Sequence, residues 1–312
     1  MELGGGLGVW LAMASMVAAA TAAAGAAQPS EDGLEPPKPS IEWLMGSGDD
    51  APAEPKLVVE RAALVPGGTA HLGISFEIDP GWHTYWPGQN GTGYGVSIDW
   101  DLPDGLTVGE VMWPAPRRYY DAKTGLLDHV YEGRVTLVVP VEVGPELEPG
   151  RRVELAADLD WLVCERACIP GRARVTLGVS VAAAGSSPAE SGWAAWFDRA
   201  RARMPRPLGL GAGEGGAGGT PPPRLAPTDE GVRATFPGAG SVSFYPHEDG
   251  VGVRDLVERG TVAGETITLP LAADPGQPGR LKGVFEVTYP GRPRPALWSV
   301  DMRLSDLSAS GR

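Results

Sequence analysis

Two cysteines, Cys164 and Cys168, are the residues of this sequence whose type and spacing point most directly to chemistry. They lie four positions apart in the stretch DWLVCERACIPG, and no other cysteine occurs among the 312 residues. Two such thiols can cycle between a disulfide and a dithiol, form a static cross-link, or bind a soft metal ion such as copper(I). The spacing of the pair helps to separate these three possibilities.

The short spacing favours redox exchange over a purely structural cross-link. Closing a loop of five residues removes only about 2 kcal/mol of entropy from the unfolded chain, and longer loops gain more. A static bridge would therefore stabilise a chain of this size better if it joined distant strands. An inert disulfide in a β-sandwich that serves for binding or support remains an alternative.

Metal binding is the third interpretation of the pair. Thiolates prefer copper(I), for which two sulfur ligands are enough, whereas a closed zinc site needs four ligands. The histidines are too scattered along the chain to add a spacing motif: His71, His83, His129 and His247. Copper(I) handling is kept as an alternative, and the redox interpretation needs no cofactor.

Strands with alternating apolar side chains must position the pair. This alternation predicts half-buried strands in five stretches before residue 183: TAHLGISFEI, YGVSIDW, RVTLVVPVEV, VELAADLDWLV and ARVTLGVSV. Turn signals separate them, as is typical of an antiparallel β-sandwich. A β-barrel would show the same pattern.

The cysteine spacing also predicts a turn. In an extended strand the two Cα atoms would lie about 13 Å apart, and a disulfide needs them within about 7 Å. The three residues between them, Glu165, Arg166 and Ala167, are therefore predicted to curl into a helical turn or tight loop, and the strand that carries Trp161 is predicted to end at Cys164. Pro170–Gly171 is predicted to supply the turn before the next strand.

A second dense region, GWHTYWPGQNGTGYG, covers residues 81–95. We predict that residues 82–94, here called the aromatic loop, cover the cysteine turn as a lid formed by Tyr85, Trp86 and Tyr94. His83 is a candidate general base, and WPAPRRYY (113–120) is expected to line the same edge. The alternative is a hairpin tip packed on the core.

Composition divides the chain into segments. The predicted segments are a signal peptide at 1–27, a linker rich in proline and acidic residues at 28–55, the β-sandwich with the cysteine pair at 56–182, a linker and amphipathic helix at 183–206, a linker rich in glycine and proline at 207–224, and a second, smaller β domain at 225–304. An uncleaved amino-terminal anchor is the alternative to the signal peptide. Either would export the chain to an oxidising compartment, where neighbouring thiols pair.

The charge of the chain excludes some classes of partner. A formal net charge of −13 argues against binding to nucleic acid or anionic membranes, which usually need a basic patch. After the amino-terminal run, no segment reaches the roughly 18 apolar residues that a membrane span requires. The mature chain is therefore expected to have no transmembrane domain of its own.

Four stretches in this order resemble the amino-terminal domain of thiol:disulfide interchange proteins of the DsbD and ScsB type: GWHTYW, SIDWDLPDGLTVGEVMWPAPRRY, YEGRVTLVVPVEV and DWLVCERACIPG. The similarity covers about residues 56–182. It implies an immunoglobulin-like sandwich in the periplasm and a protein-disulfide reductase module. It also implies that Cys164 and Cys168 are the redox residues, with Cys168 expected to bond the partner.

The sequence departs from this family in two ways. The best-known DsbD amino-terminal domains space their cysteines more widely, so the closer likeness is to the ScsB branch. Family members usually continue into a multi-helix membrane domain and a thioredoxin domain, neither of which follows here. A separate membrane electron donor is therefore expected, together with periplasmic thiol/disulfide proteins as partners.

Overall fold

A computed structural model of the chain describes residues 52–208, 223–272 and 279–307. The predicted signal peptide lies outside the described residues, as do most of the predicted linkers at 28–55 and 207–224. All described residues belong to one compact unit. None of the helices in them is long and apolar enough to cross a membrane.

Residues 53–181 form a set of strands that is here called the first β region. Its strands are β1 (Ala53–Val59), β2 (Ala63–Leu64), β3 (Thr69–Ile78), β4 (Thr84–Tyr85), β5 (Ser97–Asp101), β6 (Leu106–Val108), β7 (Arg117–Asp121), β8 (Leu126–Tyr131), β9 (Arg134–Val143), β10 (Arg152–Cys164) and β11 (Cys168–Val181). Two four-stranded sheets have the orders β1–β3–β9–β6 and β2–β11–β10–β5, and a three-stranded sheet has the order β4–β8–β7. The pairs are antiparallel except β2 with β11. The predicted mainly β fold, an immunoglobulin-like antiparallel sandwich, is confirmed.

The core of the first β region lies between its two four-stranded sheets. Leu72, Ile74 and Phe76 of β3 share one buried cluster with Leu159 and Trp161 of β10. The rings of Phe76 and Trp161 meet edge to face, with 5.4 Å between their centroids. Alternate residues of each strand supply this core, since successive side chains of a strand point to opposite faces.

The turn between β10 and β11 confirms the prediction that β10 ends at Cys164 and that the three residues after it form a turn. Cys164 and Cys168 stand directly opposite each other, so residues 165–167 make the turn and β11 begins at Cys168. The prediction of a turn at Pro170–Gly171 is therefore wrong. These two residues lie inside the strand.

Two local features allow β11 to run through Pro170 and Gly171. Pro170 pairs with Leu162 on a stretch of β11 that has β10 as its only strand neighbour, and proline is tolerated on such an edge. Gly171 lies opposite Trp161, and a Cβ atom there would sit 2.3 Å from the Trp161 ring. Glycine is therefore needed for the indole to cover the strand, and not for a turn.

The predicted helix is present as α1 (Ala194–Arg201). Its aromatic stripe packs on the outer face of the β1–β3–β9 sheet, against Val58 and Val138. Gly73 of β3 leaves space for Phe197, whose ring would lie 3.0 Å from a Cβ atom at that position. The buried residues of the stripe are Trp193, Trp196, Phe197 and Ala200.

Residues 206–303 contain a further set of strands, here called the second β region. Its elements are β12 (Arg206–Pro207), β13 (Arg224–Thr228), β14 (Gly231–Thr235), β15 (Ser241–Pro246), α2 (Leu256–Arg259), β16 (Thr261–Ala263), β17 (Thr266–Pro270), β18 (Arg280–Thr288) and β19 (Ala296–Arg303), followed by α3 (Leu304–Leu307). The sheets have the orders β12–β19–β18–β15–β16 and β13–β14–β17. They enclose a separate core around Phe236, Phe244 and Phe285. Tyr245 and Val284, in contrast, join the core of the first β region.

Candidate redox site

Cys164 and Cys168 form a disulfide at the closed end of the β10–β11 hairpin. Their Cα atoms are 4.2 Å apart, because the register of the hairpin places the two residues directly opposite each other. The hairpin pairs every residue from Arg152 to Cys164 with a residue of β11. The sulfur atoms therefore sit at the end of a long and rigid two-stranded element.

The two cysteines differ in exposure. Cys164 is 4% exposed, whereas Cys168 is an exposed residue. The backbone of Cys164 is covered by His83, since each residue donates its N–H group to the carbonyl oxygen of the other at 2.9 Å. A reactant from solvent therefore meets Cys168 first.

Tyr85 of the aromatic loop lies against the disulfide. Its hydroxyl oxygen is 3.7 Å from Sγ of Cys168 and 2.8 Å from Oγ1 of Thr92. Burial, with the negative charge of Asp128 nearby, raises the pKa of Tyr85. The hydroxyl group therefore keeps its proton at neutral pH.

A buried carboxylate fixes the direction of this hydrogen-bond chain. Asp128 accepts the backbone N–H groups of Gly91 and Thr92 at 2.9 and 3.0 Å, and the Thr92 hydroxyl at 2.7 Å. Because an ionised carboxylate can only accept, the Thr92 proton points to Asp128. Thr92 is then the acceptor for the Tyr85 hydroxyl while the sulfurs are paired.

His83 lies between two tyrosines beside the disulfide. The centroid of its ring is 5.4 Å from that of Tyr85 and 4.8 Å from that of Tyr119. Burial lowers the pKa of His83, so the imidazole is mostly neutral near pH 7. Tyr119 belongs to the stretch WPAPRRYY, which reaches the edge of the site through this ring contact.

The other two residues of the predicted lid make contacts of their own. Trp86 is buried, and its ring packs against His129 and against His247 of the second β region. Tyr94 is 45% exposed, and its hydroxyl donates to the carboxylate of Asp160 on β10 at 3.3 Å. Tyr85 contacts the sulfur of Cys168, and the lid formed by all three residues stays a prediction.

Sequence reasoning missed Thr92 and Asp128. Asp128 lies in the apolar stretch LLDHVY of β8 and is 3% exposed. A carboxylate in such a stretch signals a buried polar partner, because an unpaired buried charge is costly. The pattern does not indicate which loop supplies the partner.

The large apolar side chains that are exposed in the described residues all belong to the first β region. They lie on the aromatic loop, on the β7–β8 hairpin and on β11, and are here called the apolar rim: Tyr94, Tyr119, Tyr120, Leu126 and Ile169.

In the part of the chain that the structure describes, no group of three or more His, Cys, Asp or Glu side chains is placed to hold a metal ion.

Residues 54–180 match the family model described as "Thiol:disulfide interchange protein DsbD, N-terminal". Among solved structures, the chain is similar to the N-terminal periplasmic domain of ScsB from Proteus mirabilis, with 16% identity and a TM-score of 0.52 over 84% of this chain and 98% of that chain. The DsbD N-terminal domain of Neisseria meningitidis in the reduced form is 16% identical, with a TM-score of 0.26 over 43% of this chain and 90% of that chain. A comparison with curated protein sequences gives no match.

Proposed function

Residues 54–180 form a domain of the DsbD N-terminal family, and we propose that this domain passes electrons through Cys164 and Cys168 to or from partner thiol proteins in the periplasm. One observation carries the proposal. The disulfide closes a rigid hairpin, with Cys168 exposed to solvent and Cys164 buried behind it. This arrangement supports Cys168 as the sulfur that exchanges with a partner and Cys164 as the resolving thiol.

The exchange proceeds in two steps in either direction. When the chain accepts electrons, a partner thiolate attacks Sγ of Cys168, the S–S bond breaks, and Cys164 leaves as a thiolate that takes up a proton. A second thiolate of the same partner protein then attacks the partner's sulfur atom in the mixed disulfide. This attack releases Cys168 as a thiolate. When the chain donates electrons, the Cys168 thiolate attacks the partner disulfide. Cys164 then resolves the mixed disulfide, so two electrons are transferred.

Tyr85 supplies a hydrogen bond for the sulfur that these steps release. While the disulfide is intact, the Tyr85 hydroxyl donates to Thr92. Once Cys168 becomes a thiolate, rotation of the same hydroxyl about its C–O bond would direct its proton to the sulfur, at the present 3.7 Å separation. The neutral tyrosine is suited to this role because its raised pKa keeps the proton available.

The partners are proteins that dock on the apolar rim. Exposed aromatic and aliphatic side chains around a reactive group are typical of protein interaction sites. We place the chain in the periplasm after removal of a signal peptide, with a separate membrane protein as electron donor and periplasmic disulfide proteins as acceptors.

A redox titration tests the proposed function. The full chain is equilibrated with buffers of defined thiol/disulfide ratio, its free thiols are alkylated, and the reduced fraction is measured by mass. We expect a reduction potential above about −300 mV, as for exchangeable disulfides, and a value below it would identify a structural bridge. A variant that lacks both cysteines is the control for unspecific alkylation.

A second prediction concerns the contact of Tyr85 with the disulfide. A Cβ atom at Gly93 would lie 2.3 Å from the Tyr85 ring, so Gly93→Ala must displace the tyrosine. We expect Gly93→Ala to raise the rate of disulfide reduction by a small water-soluble phosphine about three- to tenfold, which corresponds to roughly 1 kcal/mol in activation free energy. Tyr85→Phe keeps the ring in place and should change this rate less.

Gly279→Ala is the matched control for this experiment. A Cβ atom at Gly279 meets no heavy atom within 4 Å, so the substitution should leave the reduction rate unchanged. Equal rates for Gly93→Ala and the unmodified chain, with both folded, would show that Tyr85 does not limit access to the sulfurs.

A further inference from the structure

The second β region is bonded to the aromatic loop. The backbone of residues 87–89 pairs with residues 246–248 through hydrogen bonds of 3.0 and 3.1 Å. The side-chain amide of Gln89 extends this pairing, because its Nε2 donates to the carbonyl oxygen of Val251 at 3.0 Å and its Oε1 accepts the N–H group of Val253 at 2.9 Å. Gln89 thus satisfies one backbone acceptor and one backbone donor of the second β region.

The segment from Gln89 to Thr92 connects Gln89 with the group that lies against the disulfide. Asn90 accepts the backbone N–H group of His129 on β8 at 2.8 Å. Thr92 follows two residues later, and its hydroxyl oxygen bonds to Tyr85, which contacts Cys168. Residues 89–92 are joined along the backbone, and Thr92 bonds to the Tyr85 hydroxyl that lies against the sulfur, so we expect a shift of Gln89 to reach Tyr85.

The second β region is also bonded to the β7–β8 hairpin on the same side of the site. Nη2 of Arg118 donates to the carbonyl oxygens of Leu256 and Val257 in α2, at 2.8 and 2.6 Å. The next residue, Tyr119, points to the opposite face of β7, as successive strand residues do, and packs on His83. The backbone of His83 in turn pairs with that of the buried cysteine.

We propose that Gln89 and Arg118 are positioning residues through which the second β region holds the aromatic loop and the β7–β8 hairpin around the disulfide. The second β region then sets how readily a reactant reaches Cys168, although it contributes no residue that contacts the sulfurs in the described part of the chain. This inference deepens the proposed function and rests on it. It assigns to the second β region a regulatory role in thiol exchange, namely to restrict small reductants while the apolar rim stays available to protein partners.

The experiment measures the rate at which a water-soluble phosphine reduces the Cys164–Cys168 disulfide in the full chain, well below its unfolding temperature. Gln89→Met keeps the length of the side chain and removes both hydrogen bonds, and we expect a rate about three- to tenfold higher. Arg118→Met should have an effect of similar size. In Arg118→Lys the reduction rate should be close to that of the unmodified chain, because an ammonium group can donate to the same two carbonyl oxygens.

Two further variants separate positioning from loss of stability. Arg259→Met removes a surface ion pair with Glu230 within the second β region and should leave the reduction rate unchanged even if thermal stability falls. Gln89→Glu keeps the acceptor for Val253 but places a carboxylate oxygen against the carbonyl of Val251, so its rate should rise as in Gln89→Met. Gln89→Glu thus provides a second test of the inference if the Arg118 variants do not fold.

Unchanged reduction rates in folded Gln89→Met and Gln89→Glu would overturn the inference. So would an Arg259→Met rate that rises as much as theirs. Because the phosphine acts without a protein partner, these rates are independent of the proposed function. If the disulfide has a potential typical of structural bridges while the Gln89 variants still accelerate its reduction, the proposed function fails and the positioning role is observed separately.

Discussion

Cys164→Ser is expected to trap mixed disulfides between Cys168 and partner proteins, whereas Cys168→Ser should trap far fewer. The exposed Cys168 can form the first bond with a partner, and in the Cys164 variant no second thiol is present to resolve it. In the Cys168 variant the remaining sulfur is buried beneath the backbone contact with His83. The electron transfer itself should be abolished in both variants.

The measurement uses the exported chain and non-reducing gels, with thermal melts of each variant beside them. Each substitution should cost the fold only about 2 kcal/mol, the entropy that a loop of this length removes from the unfolded chain. The double variant Cys164→Ser/Cys168→Ser is the control for unspecific complexes. Absence of trapped complexes in both single variants, together with loss of the fold, would identify the pair as a structural cross-link.

Acidification from pH 7 to pH 5 is expected to destabilise the folded chain through the buried His129 and the partly buried His247. Burial, with the positive charge of Arg118 nearby, lowers the pKa of His129 to about 3. Burial, with Lys282 nearby, lowers the pKa of His247 to about 4. The unfolded chain has ordinary histidines with a pKa of about 6.5, so the two states differ in bound protons below that pH.

The sign of the effect follows from these values. Above about pH 6.5 both states carry neutral histidines and the stability is complete, whereas below it the unfolded chain takes up protons that the folded chain does not. Stability therefore falls from pH 6.5 towards the folded-state values. At pH 5 the loss should be about 2 kcal/mol for His129, from 1.36 kcal/mol for each pH unit. It should be nearly as large for His247, because pH 5 still lies above its folded-state pKa of about 4.

Urea unfolding of the full chain at pH 7 and at pH 5 measures this loss. In His129→Gln, which stays neutral at both values, the difference between the two pH values should shrink by about 2 kcal/mol. An undiminished difference would show that His129 is not the titrating group. The ring of His129 packs between Trp86 and Tyr245 of the second β region.

The sequence by itself determined the strands discussed below and named Cys164 and Cys168 as the candidate redox pair. The stretches TAHLGISFEI and RVTLVVPVEV coincide with β3 and β9, because alternation with a period of two is imposed locally by the pleat of a strand. The disulfide between Cys164 and Cys168 follows from their short separation along the chain. The family likeness was readable because whole motifs of the β-sandwich occur in register.

The tertiary structure alone decided what surrounds the sulfurs. Tyr85 and Cys168 are 83 positions apart, and their contact depends on how the β4–β8–β7 sheet docks at the end of the β10–β11 hairpin. No local pattern encodes that docking. The same holds for Gln89, an ordinary polar residue in the sequence that becomes a link between the two β regions only when Val251 and Val253 present their backbone groups to it.

The turn predicted at Pro170–Gly171 is a case in which tertiary structure overrides a local signal. Proline followed by glycine is a strong local turn signal, yet here the register of the hairpin brings Cys168 opposite Cys164 and extends the strand through both residues. Gly171 is required by the indole of Trp161 across the strand. A local signal gives the backbone angles that a residue can adopt, and the long-range packing selects which of them is used.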